Sequence, residues 1–262
     1  MRTGTELLSV HRLTTIFESG SSALHAVQDV SFSVKAGRIT ALVGESGSGK
    51  SVTALSVMGL VAPPGRIMAG KIVLNGQELP KDAGGGSKAR LGRDMSMIFQ
   101  DPAQSLNPVM SVGNHLIETI RRHRRVSKRE ARRLAVVRLQ QAGLPDAESL
   151  LYKYAFELSG GMCQRIMIAL ALASEAKLLI ADEPTTALDV SVQAEVLHEL
   201  YRISRQEGVG ILLITHDLGV VAEIADDVYV MQAGRIVEYA PVVSLFDFPR
   251  HPYTKQLLDS RF

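Results

Sequence analysis

The segment GESGSGKS, Gly44 to Ser51, constrains this chain more than any other stretch. It fits G-x-x-x-x-G-K-[ST], a loop whose successive backbone N–H groups point inward at one anion. Ile39 to Val43 before it reads as a short buried strand, and Val52 to Leu60 behind it as the first turns of a helix. Strand, glycine loop, helix is the context the pattern requires. The glycines let the backbone curl, and the helix start adds unpaired N–H groups and the positive end of its dipole. The candidate phosphate cradle is Gly44, Glu45, Ser46, Gly47, Ser48, Gly49, Lys50, Ser51 and Val52. Lys50 offers a full positive charge to the β- and γ-phosphates of a nucleotide, and Ser51 offers a hydroxyl to Mg²⁺.

A chain of 262 residues, 46% hydrophobic, can build one large α/β domain without special staples. Its one cysteine, Cys163, leaves no partner for a disulfide within the chain and no set for a cysteine-ligated cluster, which suits a reducing compartment. The start, MRTGTELLSVHRLTT, lacks the apolar run of a signal peptide. The longest unbroken apolar run, Ile166 to Ala173, falls well short of the ~20 residues of a membrane helix. Work at a membrane therefore calls for a partner. The formal charge of +2 argues neither for nor against nucleic acid.

Leu8 and Val10, then Val30, Phe32 and Val34, alternate with polar residues as half-buried strands do, separated by a turn at Ser19 to Ala23. Phe17, near the end of the first strand, reads on its own as core packing. Gly70 to Leu74 and Met95 to Phe99 read as further strands, with a glycine-rich loop over Lys81 to Lys88 between them. From Asp101 to about Tyr154 helical periodicity takes over. Leu116, Ile117 and Ile120 mark one helix; Leu134, Val137, Leu139 and Ala142 mark another, closed by Gly143. Arg121 to Arg133 carries eight Lys or Arg against one acid, Glu130, and reads as a solvated face without the aromatic platform that base stacking needs. LSGGMCQR, Leu158 to Arg165, leads into a helix apolar all round and therefore buried. Leu178 to Ala181 is a strand ending in Asp182-Glu183. An amphipathic helix with Val192, Val196, Leu200 and Ile203 on one face ends at Gly208 and Gly210. Ile211 to Ile214 is a strand ending in Thr215-His216-Asp217, and two last strands, Val228 to Met231 and Ile236 to Tyr239, flank a turn at Gln232 to Arg235. Strands alternating with helices predict a parallel core.

In open α/β sheets ligands bind at the carboxyl ends of the strands. The phosphate loop, Asp182-Glu183, His216 and Gln100 all fall there. Asp182 is placed to hold Mg²⁺ and Glu183 to orient and deprotonate an attacking water. Gln100 is a candidate for the Mg²⁺ shell or the water. Ser159-Gly160-Gly161 opens a helix and is itself an anion-binding start, which gives one chain two phosphate-binding surfaces for one nucleotide loop. A head-to-tail dimer resolves this, with each chain's Ser159-Gly160-Gly161 capping the γ-phosphate in the other's loop.

The ordered set GESGSGKS, Gln100, LSGGMCQR, LLIADE, Ala187-Leu188-Asp189 and His216 resembles the ATP-binding cassette (ABC) ATPases over essentially the whole chain, LSGG being its most specific piece. The resemblance implies a phosphate-loop NTPase α/β core with an N-terminal antiparallel β subdomain and a helical insertion, in one domain. Residues 1–100 and 165–240 would form the core and β subdomain, 101–164 the helical part with the signature, and 241–262 a short tail. It implies ATP and Mg²⁺ as ligands. Lys50 and Ser51 bind phosphate and metal, Gln100 is the glutamine-loop residue, Asp182 the Mg²⁺ aspartate and Glu183 the general base. His216 is the switch histidine, Asp189 belongs to the loop communicating across the dimer, and Phe17 stacks on adenine. Cys163 sits at a variable position of the signature, where arginine is common.

QDPAQSLNPVMSVG, ADEPTTALDVSVQA, THDLGVVAEIADDVYVM and HPYTKQLL are similar to the oligopeptide, dipeptide and nickel importer ATPases. This implies a second, sister ATPase subunit, two transmembrane permeases, a solute-binding protein outside the membrane, and a place on the cytoplasmic face of the inner membrane. Dipeptide, oligopeptide and nickel chelate all suit as cargo. Relatives often continue past HPYTKQLL into a longer, sometimes cysteine-rich tail, and neither an iron–sulfur cluster nor a regulatory domain is expected here. The rival readings are a soluble cassette ATPase acting on nucleic acid or ribosomes, which the lack of a coiled coil or second cassette disfavours, and a subunit that binds nucleotide without hydrolysing it, which Asp182, Glu183 and His216 oppose.

Overall fold

The computed structural model describes residues 5–19, 22–80, 91–186 and 188–259. In chain order the first half runs β1 (Glu6–Ser19), β2 (Ser22–Lys35), β3 (Ile39–Val43), α1 (Lys50–Met58), β4 (Gly65–Leu74), β5 (Gln77–Glu78), β6 (Met95–Ile98), α2 (Pro102–Ser105), α3 (Val112–His123), α4 (Lys128–Gln141) and α5 (Ala147–Leu150). The second half runs α6 (Gly160–Ser174), β7 (Leu178–Asp182), α7 (Val190–Glu207), β8 (Gly210–Thr215), α8 (Leu218–Ile224), β9 (Asp227–Gln232), β10 (Arg235–Pro241), α9 (Val242–Asp247) and α10 (Pro252–Asp259). Residues 20 and 21 of the expected first turn, the glycine-rich loop over 81–88, and Ala187 lie outside the described residues.

Six strands form one sheet in the order β10-β9-β3-β8-β7-β6, parallel throughout except for β10, which folds back antiparallel on β9. The continuous apolar strands arise because both faces are covered. Successive side chains alternate between two cores. Ile39, Ala41 and Val43 of β3 point to the helices, as do Leu179 and Ala181 of β7 and Ile211 and Leu213 of β8. Leu42, Leu178, Ile180, Leu212 and Ile214 point the other way. There they meet α1 and an antiparallel sheet in the order β2-β1-β4-β5. This sheet is the expected β subdomain, and its third strand starts at Gly65, ahead of the expected Gly70.

The helical part packs α3 and α4 against α6. Leu116, Ile120, Ala135, Leu139, Ile166 and Ala169 are all fully or almost fully buried in the helix-side core. Ser111 and Ser127 cap α3 and α4, and Gly143, at φ +76°, turns the chain just past α4. Helix α6 is continuous through residues 164–165 and serves both the helical part and the sheet. The basic run is partly neutralised at the surface by Arg124–Glu175, Arg132–Glu148 and Arg133–Glu130. Among the described residues no helix is long and apolar enough to cross a membrane.

The β subdomain bends at one level, where Arg12 and Asp29 adopt positive φ and Gly70 sits at φ +103°. A Cβ on Gly70 would lie 2.6 Å from Leu13 Cα. Backbone cannot yield there as a flexible side chain would. Gly70→Ala is expected to cost about 1–3 kcal/mol of stability, read as a lower denaturation midpoint in guanidinium; an unchanged midpoint would show that the bend tolerates a side chain.

Candidate functional site

Strands β3, β8, β7 and β6 lie side by side, so their carboxyl ends present the phosphate loop, His216, Asp182-Glu183 and Gln100 in that order along one edge. The loop is clamped from two sides. Gly44, at φ +155°, passes so close to β9 that a Cβ would lie 2.1 Å from the Met231 carbonyl oxygen; at Gly49, φ +102°, it would lie 2.3 Å from that of Ala26 in β2. The turn between β9 and β10 completes the brace: Gly234 N–H donates to Ser48 C=O at 2.9 Å, and Gln28 N–H donates to Gly234 C=O at 2.7 Å. Gly49 caps α1 without a side chain, leaving the helix's first N–H groups directed at the loop.

Lys50 is 5% exposed. Its ammonium donates to the carbonyls of Gly44 at 2.7 Å and Glu45 at 2.9 Å. Burial lowers its pKa from the ordinary lysine value, against the pull of Glu183, Asp182 and Glu45. Ser51 Oγ donates to Asp182 Oδ1 at 3.2 Å. Burial raises the Asp182 carboxyl above the ordinary range, and the neighbouring Glu183 charge adds to this against Ser51 and Lys50. A buried carboxylate beside a hydroxyl, facing a phosphate loop, is a donor set for a hard cation that keeps phosphate and water among its ligands. No cluster of three His, Cys, Asp or Glu side chains forms a metal cage among the described residues.

Glu183 carries a network of three side-chain partners. His216 Nδ1 lies 2.9 Å from Glu183 Oε1. Thr186 Oγ1 donates to Oε2 at 2.9 Å, and Gln100 Nε2 donates to the same oxygen at 3.3 Å. Glu183 itself takes φ +48°, unusual for a residue with a side chain, and its N–H is tied to Ile214 C=O at 2.8 Å. Burial works to raise the Glu183 carboxyl, but the hydrogen bonds from His216 and Thr186 and the charges of His216 and Lys50 outweigh it and hold the pKa below the ordinary value. Thr186, three residues on in the same turn, is a partner that sequence reasoning missed; its signal was a hydroxyl three positions after a strand-end carboxylate.

Phe17 of β1 pairs with Gly65 of β4, and a Cβ on Gly65 would meet its ring at 2.6 Å. The absent side chain leaves room for the phenyl, which lines a cleft of about 760 Å³ together with Leu24, Ala26, Lys50, Ser51, Gln100 and Glu183. Ser159, Gly160, Gly161 and Asp189 do not line this cleft. They form a second cluster. Ser159 caps α6 by accepting Met162 N–H at 3.3 Å, and Asp189 caps α7, accepting Val192 N–H at 3.0 Å and Ser191 Oγ–H at 2.7 Å. A Cβ on Gly161 would lie 2.4 Å from Val192 Cγ1, so the two helix starts are packed side by side.

The depressed Glu183 pKa has a testable sign. Its ionised form stabilises the fold above the unfolded value of about 4.3, and this contribution is lost as pH falls through the lower folded value. Thr186→Val removes one donor to the carboxylate and is expected to raise the Glu183 pKa, read in a carboxyl-carbon NMR titration. An unmoved titration would remove Thr186 from the network.

The ABC transporter family profile matches residues 27–186. The dipeptide transport ATP-binding protein DppD of Escherichia coli is 47% identical over 252 residues, 96% of this chain and 77% of that protein. The oligopeptide transport ATP-binding protein AppD of Bacillus subtilis is 49% identical over 255 residues, 97% of this chain and 78% of that protein. Among solved structures, CbiO1 of Clostridium perfringens, part of the transporter complex CbiONQ, superposes with a TM-score of 0.78 at 28% identity, covering 93% of this chain and 91% of its own. The dimeric post-hydrolysis cassette MJ0796 bound to ADP and Pi shares the fold, at a TM-score of 0.79 and 23% identity over 90% of this chain and 99% of its own. The chain belongs to the ABC transporter family, as an ATP-binding domain of that family.

Proposed function

We propose that this chain is the ATP-hydrolysing subunit of a peptide importer, paired with a second cassette beneath two permease subunits. The observation that carries the catalytic part is the Glu183 carboxylate, held at the end of β7 by His216, Thr186 and Gln100 beside the phosphate loop. The loop from Gly44 to Val52 cradles the phosphates with those of its main-chain N–H groups that no protein acceptor holds, and Lys50 supplies the charge at their centre. Phe17, in the lining of the cleft, stacks on the adenine. Ser51, Asp182 and Gln100 would hold Mg²⁺, which when bound would offset the charge on the β- and γ-phosphates. Glu183 accepts a proton from the attacking water. His216, engaged with Glu183 through Nδ1, keeps Nε2 for the γ-phosphate.

The second cluster supports a dimer. A serine-headed helix start outside its own chain's cleft suits a phosphate held by another chain. Asp189, packed beside it at the start of α7, lies where the two chains would communicate. Closure driven by the triphosphate and reopening after hydrolysis would move the permeases. The cassette sits at the cytoplasmic face, peripheral to the membrane, and a solute-binding protein on the other side delivers the cargo. The likeness to DppD and AppD over nearly the whole chain supports peptides as the cargo class.

Glu183→Gln is expected to retain ATP, to lose at least about 100-fold in turnover, and to accumulate as a closed dimer in the assembled complex. Hydrolysis at the wild-type rate would take the base role away from Glu183. In proteoliposomes holding the full complex and its binding protein, peptide should stimulate ATP hydrolysis. Stimulation by a nickel chelate and not by peptide would contradict the cargo assignment.

A further inference from the structure

The motif HPYTKQLL has no part in the site described above, yet the fold brings it there. Helix α10 is fixed at its start by Glu238 of β10, whose carboxylate accepts the N–H groups of Arg250 and His251, both at 2.9 Å. His251 Nδ1 in turn accepts Tyr253 N–H at 3.2 Å. Leu257 and Leu258 bury the helix against the helix-side core, together with the Tyr253 ring, which is 5% exposed. The Tyr253 hydroxyl oxygen accepts the N–H of Glu45 at 3.0 Å, across 208 residues of chain.

Glu45 is the second residue of the phosphate loop. Its carbonyl accepts Lys50 Nζ, so one residue is held by the tail through its N–H and by the phosphate-binding lysine through its C=O. The loop is also braced at Gly44, Ser48 and Gly49 by β2, β9 and the β9–β10 turn. Those braces leave the Glu45 N–H without a backbone partner among the described residues. A part-buried N–H costs free energy unless paired, and the tyrosine hydroxyl pairs it.

We propose that Tyr253 is a positioning residue for the nucleotide: its hydroxyl sets the first turn of the phosphate loop, and through Glu45 the reach of Lys50, so that the C-terminal helix tunes affinity for the triphosphate. Tyr253 need not touch the nucleotide to do this. A preorganised loop binds more tightly because less ordering remains to be done on binding. The proposal rests on the reading of Gly44 to Ser51 as the ATP loop, but its first readout does not.

Tyr253→Phe keeps the ring and its packing and removes the hydroxyl that accepts the Glu45 N–H. In the full-length chain, amide hydrogen exchange at Glu45 is expected to rise at least about tenfold, while exchange at Leu42 in the core strand stays unchanged. In the assembled complex the KM for ATP is expected to rise about 3–10-fold with kcat within twofold. Equal acceleration at Glu45 and Leu42 would reduce Tyr253 to a structural residue and overturn the proposal. So would unchanged exchange at Glu45, or a fall in kcat at constant KM. If Tyr253→Phe fails to fold, 3-fluorotyrosine at this position keeps the hydroxyl as a weaker acceptor and should move both readouts in the same direction by less; unmoved readouts there also overturn it. A wild-type chain that binds no ATP while the Glu45 exchange behaves as described would overturn the ATP reading and leave the tyrosine–loop contact standing.

Discussion

The site depends on how closely three stretches of backbone approach one another around the phosphate loop. A cradle of N–H groups has no rigidity of its own, and a glycine-rich one has less than most. Here Met231 of β9 presses on Gly44 and Ala26 of β2 on Gly49, at distances that exclude any Cβ. The β9–β10 turn and the Tyr253 hydroxyl then take up the polar groups that the loop would otherwise leave loose. The glycines are therefore a requirement of packing as much as of φ. The loop's shape comes from the β subdomain, the last strand pair and the tail together.

On that base the charges fall into a consistent order. Lys50, Asp182 and Glu183 share one edge and perturb one another. Burial disfavours the charged forms of the first two, while hydrogen bonds from His216 and Thr186 outweigh burial and hold the Glu183 pKa down. The positive φ of Glu183 bends the chain at the strand end and costs roughly 1–2 kcal/mol. The bond from its N–H to Ile214 and the contacts of its carboxylate hold the residue in that conformation. The conformation of this one residue brings its carboxylate to His216, Thr186 and Gln100 at the end of β7.

Much of this is legible in the sequence because the strands here end in their chemistry. Val43, Asp182 and Thr215 each close an apolar run, and a parallel sheet with both faces covered puts such ends on one edge. Gln100 follows the same logic from β6. What sequence could not supply were contacts across long separations. Nothing near Tyr253 indicates that its hydroxyl reaches Glu45, and nothing near Gly234 indicates that its N–H braces Ser48. The two-residue β5 and four-residue α2 and α5 carry too short a pattern for periodicity to register. Helix α10, by contrast, had Tyr253 and Leu257 one turn apart and could have been read as amphipathic.

The separation of Ser159 and Asp189 from the cleft gives the account its central claim: the triphosphate is gripped between two polypeptides. An ATP analogue carrying an azidoanilide on its γ-phosphate tests this most directly. The Lys50→Ala chain, unable to hold the analogue in its own loop, is assembled with its partner subunits and photolysed. The account predicts labelling of its Ser159-containing peptide in the complex and none in the chain alone. Labelling that requires Lys50 of the same chain, or that never reaches the Ser159 peptide, would contradict it.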